Sequence, residues 1–169
     1  PETADRLLLA ADLGDAAAVG AAVAEAARRL SGIDVLCNIA GGFRMGEAVH
    51  ETSAETWDFL MGLNAGSVLN ACRAVVPVML AGGGGRIVNV GAASAQRGVA
   101  RMGAYTASKA AVQRLTEAMS AELRERGINV NCVLPGVIDT PQNRADVPDA
   151  DPARWVAPAD LAQVVLFLA

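Results

Sequence analysis

Short unbroken apolar runs alternate along this chain with stretches in which apolar residues recur every three or four positions. An apolar run of about four to eight residues between turn residues fits a strand buried on both faces, and the 3.6-residue period fits a helix with one buried side. Strands are therefore expected near residues 7–11, 34–39, 86–91 and 128–134. Helical periodicity covers 16–30, where Val19, Val23, Ala26, Ala27 and Leu30 share a side, and returns over 68–80, 105–126 and 159–168. Ser53 is placed to cap a further helix through Trp57, Leu60 and Met61, and the Asp12-Leu13-Gly14-Asp15 break supplies a turn and a helix N-cap. Gly127 stops the longest helix, Pro158 opens the last, and the four glycines at 82–85 form a turn. Residues 141–155, rich in Pro and Asp, are expected to be a loop or lid.

Strand–helix alternation with continuous apolar strands implies a Rossmann-like, doubly wound α/β fold: one parallel sheet between two helical layers. With 169 residues the chain is expected to be a single domain over residues 1–169. The formal net charge of −4 comes with no Lys/Arg block, which disfavours nucleic acid and anionic membrane as partners. No unbroken apolar run reaches membrane-spanning length. The three cysteines, Cys37, Cys72 and Cys132, lack clustered spacing, so each is expected to be a small buried core residue in a reducing, cytoplasmic setting.

The chemistry-bearing segment is Tyr105-Thr106-Ala107-Ser108-Lys109. Residues four apart share a helix face, so the phenol and the ammonium are neighbours. A free tyrosine has a pKa of about 10, and a nearby cation is expected to lower it, giving a tunable proton donor and acceptor. The plain alternative is a surface tyrosine that happens to stand beside a lysine.

Further motifs occur in order. Asn38-Ile39-Ala40-Gly41 follows the second apolar run, Trp57 and Asn64 lie on the next helix, and Pro135-Gly136-Val137-Ile138-Asp139-Thr140 follows the fourth run. Together with Y-T-A-S-K, and with Asp12-Leu13 after the first run, they resemble the compact branch of the short-chain dehydrogenase/reductase family along nearly the whole chain. The resemblance implies an oxidoreductase moving hydride between NAD or NADP and a small carbonyl or alcohol substrate. It casts Tyr105 as general acid/base and Lys109 as the cation that tunes it and binds the nicotinamide ribose. Asn64 would hold a water in a proton relay. Asn38, Ala40 and Gly41 would line the cofactor ribose; Pro135, Gly136, Ile138 and Thr140 would meet the nicotinamide end; Asp12 and Leu13 would flank the adenine. For Asp12 a helix cap is an equal and compatible reading, and for Asn64 a helix-to-backbone hydrogen bond is the alternative. The resemblance also implies a homodimer or homotetramer through the helices at 68–80 and 105–126, with Ala71, Ala74, Ala111 and Leu115 in the contact.

The chain departs from the family pattern in three ways. Where the family carries a serine thirteen positions before the tyrosine stands Ala92; the nearest hydroxyl is Ser94. Ser94 reaches the substrate oxygen if residues 92–94 stay extended, and otherwise makes a local turn. The Gly-rich pyrophosphate turn is absent before Leu7, and the chain stops short of the family's last strand. The sheet is therefore expected to be incomplete at both ends, with the first strand apart from the others. The residue that selects NAD or NADP follows the second strand of the family fold and is not present to be read. His50, the only histidine, is expected to be solvated, and Arg97, Arg101 and Met102 lie on the approach to Tyr105. Two other readings stay open: an inactive member that keeps the fold, and an epimerase or dehydratase of the extended branch.

Overall fold

A computed structural model describes residues 6–169. In chain order the main elements are α1 (Ala16–Leu30), β1 (Val35–Asn38), α2 (Ala54–Leu60), α3 (Ser67–Ala81), β2 (Gly85–Val90), α4 (Gly103–Leu123), β3 (Ile128–Val133), α5 (Pro141–Asp146) and α6 (Pro158–Leu168). The described sheet is parallel throughout, in the order β1-β2-β3, with Val35 opposite Arg86, Asn38 opposite Asn89 and Val90 opposite Val133. Parallel pairing puts all three carboxyl-terminal loops on one edge, where open α/β sheets bind their ligands.

The helix starts follow from local chemistry. Asp15 accepts from the Ala17 and Ala18 amides at the head of α1, and the Ser53 hydroxyl accepts from the Thr56 amide at the head of α2. Gly127, at φ 78°, takes the left-handed position after α4 and lets the chain turn directly into β3. The core lies between α3, α4 and the sheet, built from Val68, Val75, Met79, Ile87, Val112, Ile128 and Val130. Helix α6 packs on β2 and β3. Val88, which alternates with Ile87 and Asn89 along β2, is as fully buried as they are, so both faces of the central strand are covered.

Four expectations are corrected. Residues 7–11 form no strand. An apolar run becomes a strand only where a neighbour supplies a ladder, and β1 carries its described ladder on the β2 side alone. A cavity of about 260 Å³ lies between Leu9, Ala11 and Leu13 on one side and Leu36, Cys37 and Asn38 on the other, so this first segment does stand apart. Residues 141–155 are not a plain loop: the Thr140 hydroxyl caps α5 by accepting from the Asn143 amide, with Pro141 at the first helical position, and Pro152–Arg154 adds a 3₁₀ turn.

The third correction concerns length. α2, a six-residue π turn (Met61–Gly66) and α3 run on as one 28-residue helix, Ala54–Ala81, long and apolar enough by composition to cross a membrane. Here its inner face belongs to the core through Leu60, Val68, Cys72, Val75 and Met79. The fourth concerns the cysteines. All three are free, but only Cys72 is buried; Cys37 and Cys132 are half-buried.

Candidate active site

The site forms where the loops after β1, β2 and β3 meet the first turns of α4. Lys109 is 94 % withdrawn from solvent, at 6 % exposure, and its Nζ donates to the Val90 carbonyl at 2.9 Å. Burial lowers the lysine's pKa; the neighbouring Cys132 thiol works in the opposite direction. Tyr105, one helical turn earlier, sets its ring edge-on to Phe43 with centroids 4.8 Å apart. Burial raises the Tyr105 pKa. That reverses the expected direction: the lysine is turned to a backbone carbonyl, so desolvation of the phenol decides the shift.

Asn64 is buried at the centre of a small network. Its Nδ2 donates to Ser108 Oγ at 2.9 Å and to the Gly42 carbonyl at 3.1 Å, while Oδ1 accepts from the Gly42 amide at 2.8 Å. Ser108 in turn donates to the Tyr105 carbonyl. The side chain therefore ties the loop after β1 to the α4 turn that carries Tyr105, and both its donors are used. The π turn at Met61–Gly66 is what swings Asn64 into this position. The helix-to-backbone hydrogen bond of Asn64 is present, and its backbone partner is Gly42 in the loop after β1. Ser108 and Gly42 were not singled out by sequence reasoning; the only signal for Ser108 was its place within Y-T-A-S-K.

A second network holds the strands. Asn38 Nδ2 donates to Asn89 Oδ1 at 2.8 Å, and Asn89 Nδ2 donates to Thr116 Oγ1 at 2.8 Å. The Asn38 side chain is thereby directed into the sheet, leaving Ile39, Ala40 and Gly41 as the exposed surface at the end of β1. A Cβ added at Gly41 would come within 2.9 Å of both Asn64 Oδ1 and Lys109 Nζ. Gly41 thus lets the exposed backbone after β1 lie directly against a buried ammonium, and a backbone surface beside a cation fits a cofactor ribose.

The remaining candidates are distributed around this edge. Pro135 accepts from the Ala93 amide, the Ile138 carbonyl accepts from Asn143 Nδ2, and Thr140 is the α5 cap; Gly136 is exposed between them. Asp12 is exposed and accepts from the Gly14 amide in a local turn, while Leu13 lines the cavity outside β1. The cap of α1 is Asp15, so the cap reading of Asp12 is corrected to a turn one step earlier. Only Ala92 is extended on the β2 loop; Ala93–Gln96 is a 3₁₀ turn, so the alternation argument for Ser94 does not apply, and Ser94 sits half-buried in that turn. Two neighbouring backbone donors are occupied: the Gly91 amide donates to Val133 and the Ala93 amide to Pro135. His50 is 83 % exposed at its side chain.

A parallel sheet with a tyrosine–lysine helix at its carboxyl edge and a glycine patch beside the lysine defines a Rossmann-type α/β protein. The chain matches the family model for short chain dehydrogenases over residues 2–151. It is 37 % identical to 2-(R)-hydroxypropyl-CoM dehydrogenase of Xanthobacter autotrophicus, across 98 % of this chain and 72 % of that one. It is similar in structure to a gluconate 5-dehydrogenase from Burkholderia cenocepacia J2315 in complex with NADP and tartrate, with a TM-score of 0.86 and 34 % identity over 94 % of this chain and 66 % of the other. Carveol dehydrogenase from Mycobacterium avium in complex with NAD gives 0.84 and 29 % over the same shares. The chain thus spans about two thirds of the length of these solved relatives. It belongs to the short-chain dehydrogenase family.

Proposed function

We propose that the protein is an NAD(P)-dependent oxidoreductase acting on a small alcohol or carbonyl compound, with Tyr105 as general acid/base and Lys109 as its cationic partner. The observation that carries this is the buried Lys109 ammonium, one turn from Tyr105, held by Val90 and faced by the bare Gly41 patch. A bound nicotinamide dinucleotide, NAD or NADP, supplies the hydride donor or acceptor. In reduction Tyr105 would give its proton to the alkoxide that forms as the carbonyl carbon gains hydride; in oxidation the substrate hydroxyl would pass its proton to Tyr105 only once the phenol is ionised. Burial keeps Tyr105 protonated at neutral pH, which equips it first as a proton donor. An ammonium has three donors and one is committed to Val90, so two are left for the cofactor ribose. Ala40 and Gly41 line that ribose, with Asn38 holding their strand. Pro135, Gly136, Ile138 and Thr140 border the nicotinamide end, and Asp12 and Leu13 the adenine.

Asn64 serves as a positioning residue, through Gly42 and Ser108. Ser94 supplies the hydrogen bond to the substrate oxygen, since the Gly91 and Ala93 amides are taken; Ser94→Ala then lowers turnover on the order of a hundredfold, as loss of one oxyanion donor does. Assembly as a homodimer or homotetramer uses the outer faces of α3 and α4, where Leu69 is 44 % exposed and Ala74, Ala111 and Leu115 are half-buried. Ala71 is buried within the chain and makes no part of such a contact. Three free thiols favour a reducing compartment, the cytoplasm.

Fluorescence titration of the native protein with NADH and NADPH tests the central reading. Saturable binding that Gly41→Val weakens at least tenfold supports it; no binding of either, or binding indifferent to Gly41→Val, overturns it.

A further inference from the structure

In front of the first turn of α4 lies a cavity of about 200 Å³, walled by Arg44, Arg101, Met45, Met102 and Glu47. Two of its three charges are already answered. Arg44 pairs with Glu55 at 2.9 Å and lies 4.1 Å over the Phe59 ring. The Glu47 carboxylate faces the head of α2, accepting from the Ser53 amide, the Ser53 hydroxyl and the Thr56 hydroxyl. Arg101 is different. Among the described residues no carboxylate lies within ion-pair distance of it. One of its five N–H groups, on Nη1, donates to the Gly46 carbonyl at 2.8 Å, and the Gly46 amide donates back to the Arg101 carbonyl at 2.8 Å.

Arg101 also sits at φ 59°, a left-handed conformation that a side-chain-bearing residue adopts at a cost. A glycine would hold the turn and the Gly46 backbone bond equally well. The arginine thus sits in a strained place, tied to the opposite loop, with most of its fork turned to no partner among the described residues.

The cavity is walled by residues that adjoin Tyr105 and Phe43 in the chain. Gly103 and Ala104, in its wall, begin the turn that carries Tyr105, and Phe43, which meets the Tyr105 ring edge, directly precedes Arg44. Met45 and Met102 give adaptable apolar walls between the two ends. The volume lies below the roughly 300–1,000 Å³ of drug-sized sites. We propose that this cavity receives the carboxylate end of a compact hydroxy or keto acid, and that Arg101 is the specificity-determining residue that binds it. The inference rests on Tyr105 as the acid/base, because that places the reacting carbon at the inner end. A guanidinium–carboxylate pair is a charge-assisted, two-pronged contact, and Lys in its place keeps the charge but loses the fork.

The test compares short keto acids with their primary amides as substrates for the native protein, with NADH or NADPH. The expected result is a preference for the acid of roughly ten- to a hundredfold in kcat/KM, expressed mainly in KM. Arg101→Gly, which also relaxes the backbone, should remove most of that preference while lowering kcat/KM on the amide less than threefold; Arg101→Lys should restore part of it. Amides reduced as well as acids, or an acid preference that survives Arg101→Gly, overturns the proposal and leaves the oxidoreductase reading standing. If no member of the panel is reduced, calorimetry with succinate decides. Succinate binding that Arg101→Gly abolishes supports the anion site even though the reading of the reaction fails; absence of succinate binding to the wild-type protein overturns it.

Discussion

The two sides of β1 follow different rules. On the inner side, toward β2 and α4, polar groups are sequestered and matched: Asn38 with Asn89, Asn89 with Thr116, Asn64 with Gly42 and Ser108, Lys109 with Val90. On the outer side the surface is apolar and open, with Ile39 at 65 % exposure, Leu8 and Leu9 above 40 %, and the cavity of about 260 Å³ beneath them. The contrast has a physical basis. A buried polar atom carries a large penalty unless its partner is in place, so the inner network is closed within α3, α4 and the strands. An apolar side chain carries no hydrogen-bonding requirement, so the residues of the outer flank are placed by packing area alone. Matched polar contacts are concentrated on the inner side, where the proposed chemistry is.

The strongest test of the inner side is Tyr105→Phe. It keeps the ring against Phe43 and removes only the proton, so turnover should drop by roughly a hundred- to ten-thousand-fold with NAD(P)H binding retained. Steady-state kinetics and cofactor titration on the same preparation check this, and near-wild-type turnover would remove Tyr105 from the mechanism.

Asn64→Leu comes next. It leaves the Gly42 amide and carbonyl without their Asn64 partners, which should cost about 2–4 kcal/mol in urea unfolding. A loss below about 1 kcal/mol would show that water enters the network and that the inner side is less closed than its geometry indicates.

Alkaline titration probes the same side through Cys72, whose thiol is buried between α3 and β1 and pushed up to about 11 from the usual 9. Because the folded pKa is the higher one, the folded state holds the proton longer. The stabilisation is therefore fully present below pH 9 and is lost as pH rises through 11. Two pKa units correspond to about 2–3 kcal/mol. Urea midpoints at rising pH should fall more steeply in wild type than in Cys72→Ala, which lacks the titrating group; parallel slopes would mean that the thiolate is solvated.

The smallest effect belongs to the outer flank. Ile39→Thr, at an exposed position, should change stability by less than about 0.5 kcal/mol. A cost above about 2 kcal/mol would mean that another segment or a second copy covers this flank, and the contrast between the two sides would then lie in what covers them.

Local patterns alone settled most of the elements. The α1 span, the Ser53 cap, the Gly127 stop and the three strand positions from Val35 onward were all legible, because periodicity, capping and left-handed glycines act within a few residues of chain. The pairing of Tyr105 and Lys109 on one helix face was legible for the same reason. α5 carried its own signal in Thr140-Pro141, which the surrounding Pro and Asp content obscured. What tertiary structure alone decided were the properties that depend on surroundings. Residues 7–11 have strand composition but no described ladder partner on β1. The direction of the Tyr105 shift turned on where Lys109 found its acceptor. Asn64 was directed to Gly42 by a π turn that no composition rule marks, and Arg101 was set across from Gly46, 55 residues away in the chain. Propensity is a short-range quantity, whereas burial, ladder pairing and hydrogen-bond choice are set by which distant segments come together, and it is those that give the same residues their chemistry.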